Sequence, residues 1–198
     1  MSKETTATFT SPFDSLAKSP AWLRGCGIVL AGSAFAALCA HVSLPLFFTP
    51  VPLSLAPFAV LVLGLVLPPR LAAATFAAYL LEGAAGLPVF ASSPATGGLA
   101  HLFGPTGGYL LAYPLAAALI SFLFRRSRRG YFSAFASAAI GDLLILSCGA
   151  LWLAAITHIA VMQATALAVL PFLAGDALKI AAAAAVRSGI ARLRHRTV

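Results

Sequence analysis

The sequence predicts an all-α integral membrane protein, a six-transmembrane-helix bundle with both termini in the cytoplasm. Three observations carry that expectation. Of 198 residues, 61% are hydrophobic and 9% charged, with a mean hydropathy of +0.97; a soluble domain carries about 25% charged residues, so this composition cannot cover a surface in water. The apolar residues collect in runs that approach the ~20 residues a helix needs to cross a bilayer. Apart from Lys179, which falls within the last run, the basic residues lie at or beyond the ends of the runs and only on alternate sides.

The elements follow in order. Residues 1–22 are polar and rich in Ser and Thr, and read as a disordered cytoplasmic tail. A cleaved signal peptide is the rival reading, but the apolar run after Arg24 is longer than the ~7–15 residues of a signal-peptide core. Residues 23–189 form the six-helix membrane domain. Its helices are expected from about Gly25 to Leu44, Pro52 to Pro68, Leu71 to Gly83, Tyr109 to Phe124, Tyr131 to Leu153, and from Pro171 to near Gly189. The second to fourth are short for a full crossing and need tilt or burial against neighbours. Residues 190–198 form a basic cytoplasmic tail.

The stretch Leu151–Leu170 is apolar enough for a seventh crossing. Lys and Arg settle the parity. With six helices, Lys3, Lys18, Arg24, Arg70, Arg125, Arg126, Arg128, Arg129, Arg187, Arg192, Arg194 and Arg196 all face the cytoplasm, and the outside loops hold no basic residue. Seven helices would place the arginine-rich end outside. Leu151–Leu170 is therefore expected to extend the fifth helix and connect along the outer surface. The net charge of +8 belongs to these clusters at segment ends, which argues against a nucleic-acid-binding face. Cys26, Cys39 and Cys148 are far apart, odd in number and without ligand spacing, so they read as small core residues. No metal site is expected, and His41, His101 and His158 show no ligand spacing either.

The outer helix ends hold the unusual residues. Pro45, Pro50 and Pro52 forbid regular helix between the first two crossings. The loop Gly86–Gly108 is longer than most connections, which favours a functional segment. Within it, Thr106 to Gly108 either present backbone amides to a ligand or form an ordinary Gly/Pro turn. Asp176 and Lys179, three residues apart, share one helix face about a turn below the outer surface. They are either an ion pair that locks the bundle or a polar site offering an acceptor beside a donor. Glu82 ends the third helix near the outer surface. Asp142 lies mid-helix with no basic partner in sequence and reads as structural, protonated or hydrogen-bonded to another helix. Gly32, Ala36 and Ala40 make a stripe of small residues, suited to packing in the bundle or to docking another membrane protein; the docking reading is adopted. The sequence holds no P-loop, no acidic cluster for magnesium and no nucleophile–base set, so neither ATP hydrolysis nor another catalytic activity is expected.

Four strings, PVPLSLAPFAVLVLGLVLPPR (Pro50–Arg70), YLLEGAAGLPVFA (Tyr79–Ala91), GPTGGYLLAYPLAA (Gly104–Ala117) and PFLAGDALK (Pro171–Lys179), together resemble the BioY family, the substrate-binding membrane subunits of energy-coupling-factor biotin transporters. The resemblance covers about Pro45 to Arg187. It implies a multi-pass protein of the bacterial cytoplasmic membrane that takes up biotin, with no cofactor, and that works with a transmembrane coupling subunit and ATPase subunits. It carries the family's helix-six aspartate and lysine onto Asp176 and Lys179. Their acceptor and donor suit the ureido ring. The thioether ring and valeryl chain of biotin want apolar walls such as Phe47, Val51, Phe90 and Tyr109, and its carboxylate could take the amides of Gly107 and Gly108. Glu82 is also placed among the binding residues. Two positions depart from the family's usual strings: Ala56, where glutamine is common, and Glu82 itself. A self-sufficient secondary transporter and a membrane enzyme acting on lipid through Asp176, Lys179 and Glu82 are the alternatives; no internal repeat supports the first, and no nucleophile or metal supports the second.

Overall fold

A computed structural model describes residues 20–91 and 98–196, with side chains to residue 193. The N-terminal tail up to residue 19 and the last residues of the basic tail lie outside it. The described chain is helical almost throughout. Its helices are α1 (Ala21–His41), α2 (Ala56–Val66), α3 (Pro69–Ala84), the short α4 (Leu99–Leu102), α5 (Gly107–Arg126), α6 (Tyr131–Thr157), α7 (Val161–Ala168) and α8 (Leu173–Arg196).

Prolines set several of the boundaries. Pro57 and Pro69 sit in the first turns of α2 and α3, where the missing N–H and the fixed φ suit a helix start. Pro114 lies inside α5; it has no N–H for the Leu110 carbonyl, so one rung of the helix is absent there. Pro171 falls in the break between α7 and α8, which bend by 57°. The stretch 151–170 is thus no straight seventh helix. α6 continues to Thr157, the chain reverses at His158 with φ of 54°, and α7 follows. Between α1 and α2 the chain crosses back as a two-stranded antiparallel ribbon, β1 (Ser43–Leu44) and β2 (Leu53–Ser54), in register Ser43↔Ser54.

Among the described residues three helices, α1, α5 and α6, are long and apolar enough to cross a membrane alone, and a fourth if α7 and α8 form one broken span. α2 has 11 residues, about 16 Å of helix. It nevertheless sits in the middle of the bundle, against α1, α5, α6 and α8, and buries Ala59, Val60, Leu61 and Leu65. A half-length helix in the centre leaves space above its first residue.

At the opposite end of α2 the basic residues gather. The Arg187 Nε donates to the Leu65 carbonyl at 3.2 Å, and its guanidinium lies 5.1 Å from the centre of the Phe124 ring. Ser121 donates to the Leu67 carbonyl at 2.6 Å and accepts from the Arg125 Nε. One end of the bundle is cationic and the other carries the ribbon and the long loop.

The small stripe of α1 needs correcting. Ser33, Ala36 and Ala40 are fully enclosed, and a Cβ on Gly32 would meet the Thr75 methyl at 2.7 Å. Gly32, Ala36 and Ala40 face α3 and α2 inside this chain, because small residues let these helices approach closely. They leave no surface for a partner.

Candidate ligand-binding site

The space above α2 is a cavity. Its walls come from the ribbon and the start of α2 (Val51, Pro52, Ser54, Ala56, Pro57), from Tyr79 of α3, from His101 and Thr106 of the loop, and from Tyr109 and Tyr113 of α5. Asp142 and Ile145 of α6 and Asp176 and Lys179 of α8 also contribute. The cavity has a volume of about 60 Å³. The cavity is small and opens toward the end of the bundle that carries the ribbon and the long loop.

Asp176 and Lys179 form an ion pair, Nζ to Oδ1 at 2.9 Å, with side chains 5% and 11% exposed. Spacing of three residues puts them on one face of α8, and that face is the cavity wall. Lys179 keeps two N–H donors, and Asp176 keeps its second oxygen. Apolar surface dominates the rest.

Several expected residues take these places and several do not. Val51 and Tyr109 line the cavity. The Tyr109 hydroxyl donates to the Ala168 carbonyl at 2.6 Å, and its ring lies directly on Gly149. Phe90 is buried but stands one layer back: it stacks on His101 with ring centres 5.1 Å apart and meets Tyr79 edge-on at 5.3 Å. Phe47 is fully exposed and outside the cavity, because the ribbon turns it outward. Glu82 is outside it too; its carboxylate accepts the Ser33 hydroxyl and ties α3 to α1.

Gly107 and Gly108 are buried but away from the cavity wall. A Cβ on Gly107 would strike the Leu102 carbonyl, and one on Gly108 would meet the Cys148 carbonyl at 2.6 Å. Their lack of side chains lets α5 begin hard against α6, and the Trp152 indole N–H donates to the Gly104 carbonyl at 2.9 Å to hold the loop there. These glycines pack the loop instead of presenting amides.

Sequence reasoning missed Tyr79, His101, Tyr113 and Asp142 as wall residues, whereas Thr106, singled out with the glycine turn, does line the cavity. Asp142, read as structural, opens on the cavity. A lone carboxyl in an apolar helix carried a signal of function; the aromatic residues carried none, since buried aromatics line every core.

A helical membrane bundle with a mostly apolar cavity at one end, carrying a buried ion pair and a few further polar side chains, defines a protein that holds a small molecule within the membrane. The model of the BioY family matches residues 10–196, and this chain belongs to that family. It is similar to the probable biotin transporter BioY of Pyrococcus horikoshii, 41% identical over 134 residues, 68% of this chain and 76% of the relative. It is similar also to biotin transporter BioY2 of Lactococcus lactis, 36% identical over 77% of this chain and 81% of the relative. The biotin transporter BioY of Thermotoga maritima is 34% identical over 78% and 88%. In fold the chain is similar to the crystal structure of the S-component for biotin from an ECF-type ABC transporter, with a TM-score of 0.77, 22% identity, and coverage of 92% of this chain and 95% of that one.

Proposed function

We propose that this chain takes up biotin as the substrate-binding component of an energy-coupling-factor transporter, and that it is not an enzyme. Membership of the family and the names of its relatives support the substrate. The single observation that carries the reading is the buried Asp176–Lys179 pair on the wall of a mostly apolar cavity. An ureido group needs an acceptor and a donor side by side, and desolvation makes each such bond selective. Biotin places its ureido ring against Asp176 and Lys179. Its valeryl chain then runs past Val51 and Tyr109, and its carboxylate ends near the loop, by His101 and Thr106. Coupling and ATPase subunits supply the energy, since nothing in this chain cradles a nucleotide phosphate.

Calorimetry on the purified chain tests the reading with two ligands: biotin, and lipoate, which has the valeryl tail but no ureido ring. Biotin should bind and lipoate should bind far more weakly. Equal affinity for both would remove the ureido site, and no heat with biotin would remove the assignment.

The six-crossing arrangement, with the cationic end of the bundle and both termini in the cytoplasm, belongs to the same proposal. It is supported by the gathering of Arg125, Arg187 and their partners at one end. A cysteine at Ser127, in a chain with Cys26, Cys39 and Cys148 replaced, should resist an impermeant thiol reagent in intact cells and react once they are opened. Strong labelling of intact cells rejects this topology.

A further inference from the structure

Asp142 is 4% exposed and lines the cavity with Asp176 and Lys179, within reach of the charges of both. It takes part in no hydrogen bond among the described residues. No fully enclosed side-chain oxygen there lacks a partner, so the Asp142 carboxylate opens on the cavity itself. A carboxylate held this way needs donors, and only the contents of the cavity can bring them.

The chemistry of a cyclic urea says which donors. Its two N–H bonds diverge on either side of the carbonyl, so one carboxylate cannot accept both. Asp176 and Lys179 serve one N–H and the carbonyl, which leaves the second N–H facing a dry wall unless another acceptor stands there. We infer that Asp142 is that acceptor: Asp142 and Asp176 each take one ureido N–H, and Lys179 meets the carbonyl between them. The inference rests on the biotin reading and deepens it, making Asp142 a specificity-determining residue on a different helix from the pair.

Two substitutions and two ligands test it. The ligands are biotin analogues methylated on one or the other ureido nitrogen. Asp142→Leu removes the acceptor without leaving a charge, and should weaken biotin by about tenfold to a hundredfold, while Asp142→Asn, which keeps one neutral acceptor oxygen, should fall between it and the unaltered protein. Thermal unfolding of Asp142→Leu should occur at the same temperature or higher, because an unpaired buried carboxylate has gone. Asp142→Leu should also stop discriminating against methylation at one nitrogen and keep discriminating at the other. Unchanged biotin affinity in Asp142→Leu, or lost affinity accompanied by lost thermal stability, overturns the inference while leaving the biotin assignment in place. Absence of biotin binding in the unaltered protein overturns both.

Discussion

Lys179→Met should abolish measurable biotin binding and lower thermal stability, and it should be the more damaging of the two changes in its ion pair. Asp176 and Lys179 touch at 2.9 Å with little solvent. Removing one partner of a buried pair costs about 3–5 kcal/mol, mainly through the charge left behind. Without Lys179, Asp176 and Asp142 face each other across the cavity with no cation. Without Asp176, Lys179 keeps Asp142 within reach, so Asp176→Asn should lose only about 1–3 kcal/mol of stability while still weakening biotin by an order of magnitude or more, at ~1.4 kcal/mol per tenfold. The double variant Asp176→Asn/Lys179→Met should recover much of the stability and none of the binding. Thermal unfolding and calorimetry in one detergent give all the values. Equal destabilisation by the two single changes contradicts the asymmetry, and full biotin affinity in both makes the pair structural.

Gly149→Val should be the most damaging change outside the pair. A Cβ there falls on the Tyr109 ring, and that ring cannot move without giving up its hydrogen bond to the Ala168 carbonyl. Overpacking costs about 1–3 kcal/mol, and an orphaned buried hydroxyl about as much again. Because Tyr109 also lines the cavity, biotin affinity should fall with stability. Gly189→Ala is the control: nothing lies near its added methyl group, and Ala favours helix over Gly by about 1 kcal/mol, so stability should hold or rise. Adding Tyr109→Leu to Gly149→Val should relieve the clash and restore stability. A Gly149→Val protein that unfolds at the unaltered temperature would show that the ring has room to move.

Much of the fold was legible because hydropathy and charge act over whole segments. The prolines around α2 and α3, the end of α5 at its arginines, and the break at Pro171 all stand in the sequence as written. The Asp176–Lys179 pair was legible because spacing of three residues fixes a shared helix face. Other features depend on which helix lies beside which, and no local pattern records that. Gly32, Ala36 and Ala40 look the same whether they face a partner or, as here, α3 and α2. Gly107 and Gly108 look alike as amide donors and as packing glycines; the carbonyls of Leu102 and Cys148 that decide between these roles are either in a preceding loop or forty residues away. That Asp142 lines the cavity was illegible for the same reason, since the residues around it come from other helices.

The order of the helices around the cavity also sets its field. α2, α5 and α8 all begin there: Ala56, Tyr109 and Asp176, each in the first turn of its helix, line the wall. Neither Leu55 nor Thr106, ahead of α2 and α5, caps its helix with a side chain. Each helix carries about half a positive charge at its amino end, from aligned peptide dipoles. Asp142, Asp176 and Lys179 lie among these three amino ends. The backbone thus gives the cavity a positive field of its own, through the alternation of chain direction that brings these helix starts to the same end.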